Sequence, residues 1–188
     1  MSEPQAQPQS QVPEFIRVEG NSVFFYCSVE EETVLELITV MKRVEHELFS
    51  GLLKLGLWDT VPTIHLHVKS DGGDLYSGLA AFDFLKSMRA SVHTHAEGCV
   101  ASAATLIFLG GQTRTVCPNA YILIHQISNE LWGKFEELKD SMKQCERLMK
   151  HLKRVYLRET KIPEEKLDAL LRRDMYLSYK KCRRYEVC

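Results

Sequence analysis

The spacing of hydrophobic positions changes several times along the 188-residue chain, and each change predicts an element. "SVFFYCSV" (22–29) is β-branched and aromatic and ends at acidic residues, the pattern of a buried strand. Residues 30–56 switch to helical spacing, acidic at the start and basic further on, as the helix dipole favours. "PTIHLHVKS" (62–70) predicts a second strand, broken by "DGGD". A helix follows over 75–89, a third strand over 91–98 and a short buried helix over 100–110. Residues 112–126 predict strands around a Pro-Asn turn. Strand, helix, strand, helix, strand is the order of βαβ units on a parallel sheet, so the predicted class is α/β.

The last third has a different period. Apolar residues fall at Leu131, Phe135, Leu138, Met142, Cys145, Met149, Leu152 and Tyr156, alternating steps of four and three. This seam predicts a helix over about 131–159, on the order of 40 Å long. Two readings fit: a helix whose N-terminal half packs on its own body, or one that projects against another subunit. The regularity of the seam favours the second. A turn, Pro163 and a second short helix follow.

Composition narrows the classes. Net charge is −1, with 45% apolar and 26% charged residues, a soluble globular mix without the basic surplus of a nucleic-acid partner. The six cysteines form no C-x-x-C pair and suit a reducing, cytoplasmic setting. No apolar run reaches the roughly 18 residues of a membrane span, and no secretory leader is evident. Residues 1–13, rich in Gln, Pro and Ser, predict a disordered tail or propeptide ahead of a single domain over 14–188.

Candidate chemistry gathers at strand ends. Ser102 stands among alanines where a strand should turn into a helix. It is either a small residue chosen for close packing or a nucleophile with helix N–H groups beside it. His125 ends "AYILIHQ" at the tips of the sheet, where open α/β folds place ligands. Asp174 lies in "RRDMYLS". Together they have the residue types of a Ser-His-Asp triad, and "SDGG" (70–73) offers backbone amides to an oxyanion.

Four blocks, "SDGGDLYSGLAAFDFL", "GCVASAATLIFLGG", "CPNAYILIHQ" and "RRDMYLS", occur in the order found in the proteolytic subunit of the Clp protease, and over roughly residues 60–188 the chain resembles that family. The resemblance implies a crotonase-like ββα superhelix with a long protruding handle helix. It implies a serine-type endopeptidase cleaving unfolded polypeptides inside a double heptameric ring, fed by an AAA+ ATPase unfoldase, with no cofactor, nucleic acid or membrane involved. Matched position by position, Ser102, His125 and Asp174 fall on the triad, and Gly73 and Ala103 on the oxyanion donors.

The chain also departs from the pattern. Asp71 replaces the usual proline and brings a negative charge towards the oxyanion site. "ISNEL" replaces the Pro-Gly-Gly after His-Gln, and "CRRYEVC" ends the chain where a closing strand is expected. These changes suit a divergent member, and the alternative is a catalytically weak structural or regulatory subunit of a mixed ring. A crotonase-type acyl-CoA enzyme is a third reading, disfavoured because it needs no triad. Finally, "HLH" (65–67) and "HTH" (93–95) place paired imidazoles on neighbouring strands. With no acidic or Cys ligand in either motif, they predict ring packing and no metal site.

Overall fold

A computed structural model describes residues 16–128, 130 and 132–188. The predicted tail over 1–13 and Leu131 of the seam lie outside them. The elements run β1 (Ile16–Glu19), β2 (Ser22–Phe25), α1 (Glu31–Lys54), β3 (Thr63–Ser70), α2 (Leu75–Ser87), β4 (Ser91–Ala101) and α3 (Ala104–Leu109). They continue as β5 (Thr113–Val116), β6 (Tyr121–Leu123), α4 (Phe135–Glu159), α5 (Glu164–Leu171), β7 (Tyr176–Ser178) and α6 (Tyr179–Arg184). This is the α/β architecture that the alternating periods predict. Among the described residues, no helix is long and apolar enough to cross a membrane.

The sheet is ordered β1-β2-β3-β4-β6-β7, with β5 also on β4. Its centre is parallel and its two outer pairings are antiparallel. The long strand β4 is forked. His93 to Ala96 pair with β5, whereas Cys99 to Ala101 pair with β6. Gly98, at φ +60, separates the two stretches, and β3 shifts register opposite it between Val68 and Ser70. The fork bends the sheet, and the ends of β4 and β6 run side by side beyond it.

Alternation along the strands sends Val23, Phe25, Ile64, Leu66, Val68, Val92, Ala96 and Val100 into the core. There they meet Leu37 and Met41 of α1, Phe82 and Leu85 of α2, and all of α3. Phe24, His65, His67, His93 and His95 occupy the intervening positions and are half-buried.

Helix α4 begins at Phe135, after a Gly133–Lys134 entry in which the Glu137 carboxylate accepts from the Lys134 N–H (2.9 Å). Only its C-terminal part is built into the body. Leu152, Val155 and Tyr156 are buried, while Phe135 and Met142 are 70% and 55% exposed. The buried Tyr156 hydroxyl shares a 2.6 Å hydrogen bond with the Thr105 hydroxyl, and burial pushes its pKa up to about 12. At the helix end, the Glu159 carboxylate meets Lys86 and Arg158, both at 2.9 Å, and the Glu159 carbonyl accepts from Arg114 (2.8 Å). The helix is thus clamped at its C-terminus and free along its first half.

Tyr156→Phe keeps the ring and removes the link to Thr105. It should cost about 1 kcal/mol of unfolding free energy in a urea titration, with an unchanged m-value.

Candidate active site

β4 stops at Ala101, and Ser102 takes a left-handed backbone (φ 55), one of two non-glycine residues described in that region. Such a conformation costs on the order of 1–3 kcal/mol, so its surroundings must hold it. They do so from both sides. The Ser102 N–H donates to Leu123 O of β6 (3.0 Å), and its carbonyl accepts from the Thr105 N–H (3.0 Å) and the Thr105 hydroxyl (2.6 Å). Through Thr105 the turn is joined to Tyr156 of α4. The helix that follows Ser102 is short, Ala104–Leu109, so its dipole is a smaller aid than the sequence suggested.

The β3–α2 turn presses on this serine. A Cβ built on Gly72 (φ +102) would lie 2.5 Å from Ser102 Cβ and 2.8 Å from Ala101 O, so only glycine allows the approach. Gly73 is held next to Val29: Val29 N–H donates to Gly72 O (2.8 Å) and Asp74 N–H to Val29 O (2.7 Å). The amides of Gly73 and Ala103 make no hydrogen bond among the described residues, and both residues line the cleft. Asp74 caps α2 by accepting from the Ser77 N–H (2.6 Å). Asp71 is exposed and absent from the cleft lining. Its carboxylate lies beside Cys99, whose thiol pKa is raised by burial and then by Asp71. The expected charge at the oxyanion position is therefore directed elsewhere.

Ser102 and His125 follow the ends of adjacent parallel strands, β4 and β6; both are half-buried and both face the cleft. Asp174 does not line it. This residue is exposed, in the turn between α5 and β7. β6 pairs with β7 through Tyr121, Ile122 and Leu123 against Ser178, Leu177 and Tyr176, and beyond that the Gln126 N–H donates to Leu171 O (2.8 Å), so the paired register does not carry on to Asp174. Among the described residues, no hydrogen bond joins Ser102 to His125 or His125 to Asp174.

The cleft has a volume of about 650 Å³. Its far wall is α4, through Ser141, Gln144, Cys145, Leu148, Leu152 and Tyr156. The favoured reading of the seam set Cys145, Leu152 and Tyr156 against a partner subunit, with packing of the helix's N-terminal half on its own body as the alternative, and neither expected this wall. Residues 141, 145, 148 and 152 do share one helical face, which was the available signal.

Comparison with known proteins gives a consistent set of similarities. Residues 24–187 match the family model described as Clp protease. The match reaches well upstream of the 60–188 stretch that the motifs cover. The chain is 29% identical over 148 residues to an ATP-dependent Clp protease proteolytic subunit 2 of Treponema denticola, covering 78% of this chain and 74% of that one. It is 32% identical over 145 residues to the ATP-dependent Clp protease proteolytic subunit of Ostreococcus tauri, covering 76% and 72%. A solved structure of a ClpP1 mutant from Listeria monocytogenes superposes with a TM-score of 0.75 at 21% identity, over 89% of this chain and 88% of that one, and so shares the fold.

The crowding at Gly72 generates a direct expectation. Gly72→Ala should push the turn off Ser102 and destabilise the protein by roughly 2–4 kcal/mol, from overpacking added to a strained φ. Chemical denaturation checks it; a stability within 0.5 kcal/mol of the parent, the usual scatter of surface changes, would refute the packing described.

Proposed function

Because the chain belongs to the Clp protease family, we propose that it is a serine-type peptidase subunit that uses Ser102, His125 and Asp174 on unfolded polypeptides within an oligomeric chamber. The observation that carries this reading is the convergence of Ser102, His125 and the free amides of Gly73 and Ala103 on one cleft. In the proposed reaction, Ser102 Oγ attacks the peptide carbonyl while His125 accepts the hydroxyl proton. The negative charge that develops on the carbonyl oxygen is held by the two amides. His125 then gives the proton to the departing amine. Water, deprotonated by the same imidazole, releases the acyl group and restores Ser102. Asp174 would orient the imidazole. The ATP-dependent relatives motivate a partner unfoldase that delivers extended chains.

A second reading has its own support. Asp174 is exposed and has no hydrogen bond to His125 among the described residues, and the chain departs from the family pattern after Gln126. A structural or regulatory subunit, or one whose triad closes only on assembly, fits those facts. The exposed stripe of Phe135 and Met142 on the free half of α4 supports an assembled form, in which this stripe meets another subunit.

Labelling by a fluorophosphonate, read by intact mass on size-fractionated protein, separates the readings. The peptidase reading expects one adduct per chain in the assembled fraction and none in Ser102→Ala. No adduct from a folded oligomer would support the structural subunit instead. Assembly is tested apart from chemistry. Met142→Glu, a charge on the exposed stripe, should lower the mass seen by light scattering while leaving the circular dichroism unchanged.

A further inference from the structure

The imidazoles of "HLH" and "HTH" are arranged for more than ring packing. In the β3–β4 register His65 lies beside His93 and His67 beside His95. All four project on the sheet face opposite the one that buries Ile64, Leu66, Val92 and Thr94. One ring nitrogen from each of His65, His93 and His95 lies within 4.8 Å of the others. His65 Nδ1 and His95 Nε2 are already 3.0 Å apart.

We propose that His65, His93 and His95 form a binding site for a divalent transition-metal ion of the zinc type, on a sheet face distinct from the cleft of Ser102. Nitrogens in a tetrahedral zinc shell at about 2.0–2.1 Å from the ion stand roughly 3.4 Å from one another, so closing the site needs only side-chain adjustment. Three imidazoles leave a fourth position open to water or an added ligand. Neutral nitrogen donors suit zinc, copper or nickel and disfavour magnesium or calcium.

The surroundings hold the rings in place. His93 and His95 stack with centroids 4.2 Å apart, His67 stacks on His95 at 4.7 Å, and Phe24 covers His67 at 4.5 Å. His93 Nε2 also meets the Thr115 hydroxyl at 2.7 Å, which orients its ring. The acidic partner judged missing from the sequence is Glu97, two residues beyond "HTH". Its carboxylate contacts His67 Nδ1 (2.7 Å) and accepts from the Tyr26 hydroxyl. It thereby fixes His67 against His95 and supplies negative charge near the imidazoles. Burial, then His93, His67 and His65, push the His95 pKa down to about 4. Burial and the His65 and His67 rings lower that of His93.

Cobalt(II) chloride, titrated into the full chain after dialysis against a chelator, is the test. The site expects one ion per chain, visible bands of tetrahedral type, no thiolate charge-transfer band, and displacement by zinc. His65→Asn and His93→Asn should each weaken binding by at least about tenfold, whereas the exposed His46→Gln and His151→Gln should not. Because substitutions on a central sheet can unfold a protein, the parent chain carries a second readout. Zinc should protect His65, His93 and His95 from carbethoxylation, resolved by peptide mass. Absence of visible bands, thiolate bands in their place, binding retained in both folded variants, or unchanged carbethoxylation would overturn the proposal.

Discussion

The contact on which the cleft depends is the approach of Gly72 to Ser102. A left-handed serine at the end of a central strand is held only if both flanks are fixed. Leu123 and Thr105 hold its own peptide groups, and the glycine turn closes over its Cβ. Because that turn also carries Gly73, the same contact brings an unpaired amide to the cleft beside that of Ala103. One steric requirement, the absence of a Cβ at residue 72, thus sets the placement of the hydroxyl and of a hydrogen-bond donor together.

The forked strand β4 organises the rest. Its first half carries the histidines and pairs with β5; its second half leads to Ser102 and pairs with β6. Gly98 lies between them, and the two clusters of chemistry occupy different faces and different halves of one strand. A change confined to the histidine face therefore need not disturb the serine turn, which is secured from β6 and α4.

The alternation of strand and helix was legible because each buried element keeps its own hydrophobic period. Ser102, His125, Gly73 and Ala103 were legible as candidates because the four blocks stand in family order, and all four line one cleft. Other features were not. β1, β7 and α6 are short: β1 is completed only by its hairpin with β2, and β7 only by pairing with β6, distant in sequence. The fork of β4 is a tertiary choice that the uniform alternation of "SVHTHAEG" does not display. The dual use of α4 was hidden for a similar reason. A heptad seam reports that a face is apolar, and the same spacing serves an internal cleft near Leu152 and an exposed stripe near Met142. Glu97 escaped notice because it contacts His67 across strands, outside either three-residue motif.

Helix α4 is in mechanical terms a cantilever. Its root is set in the body by Tyr156, Thr105 and the Glu159 ion pairs, and its midspan forms one side of the cleft. The wall that faces Ser102 is therefore fixed at one end and unsupported at the other, and the residues that line the cleft stand on the same beam as the exposed Phe135 and Met142.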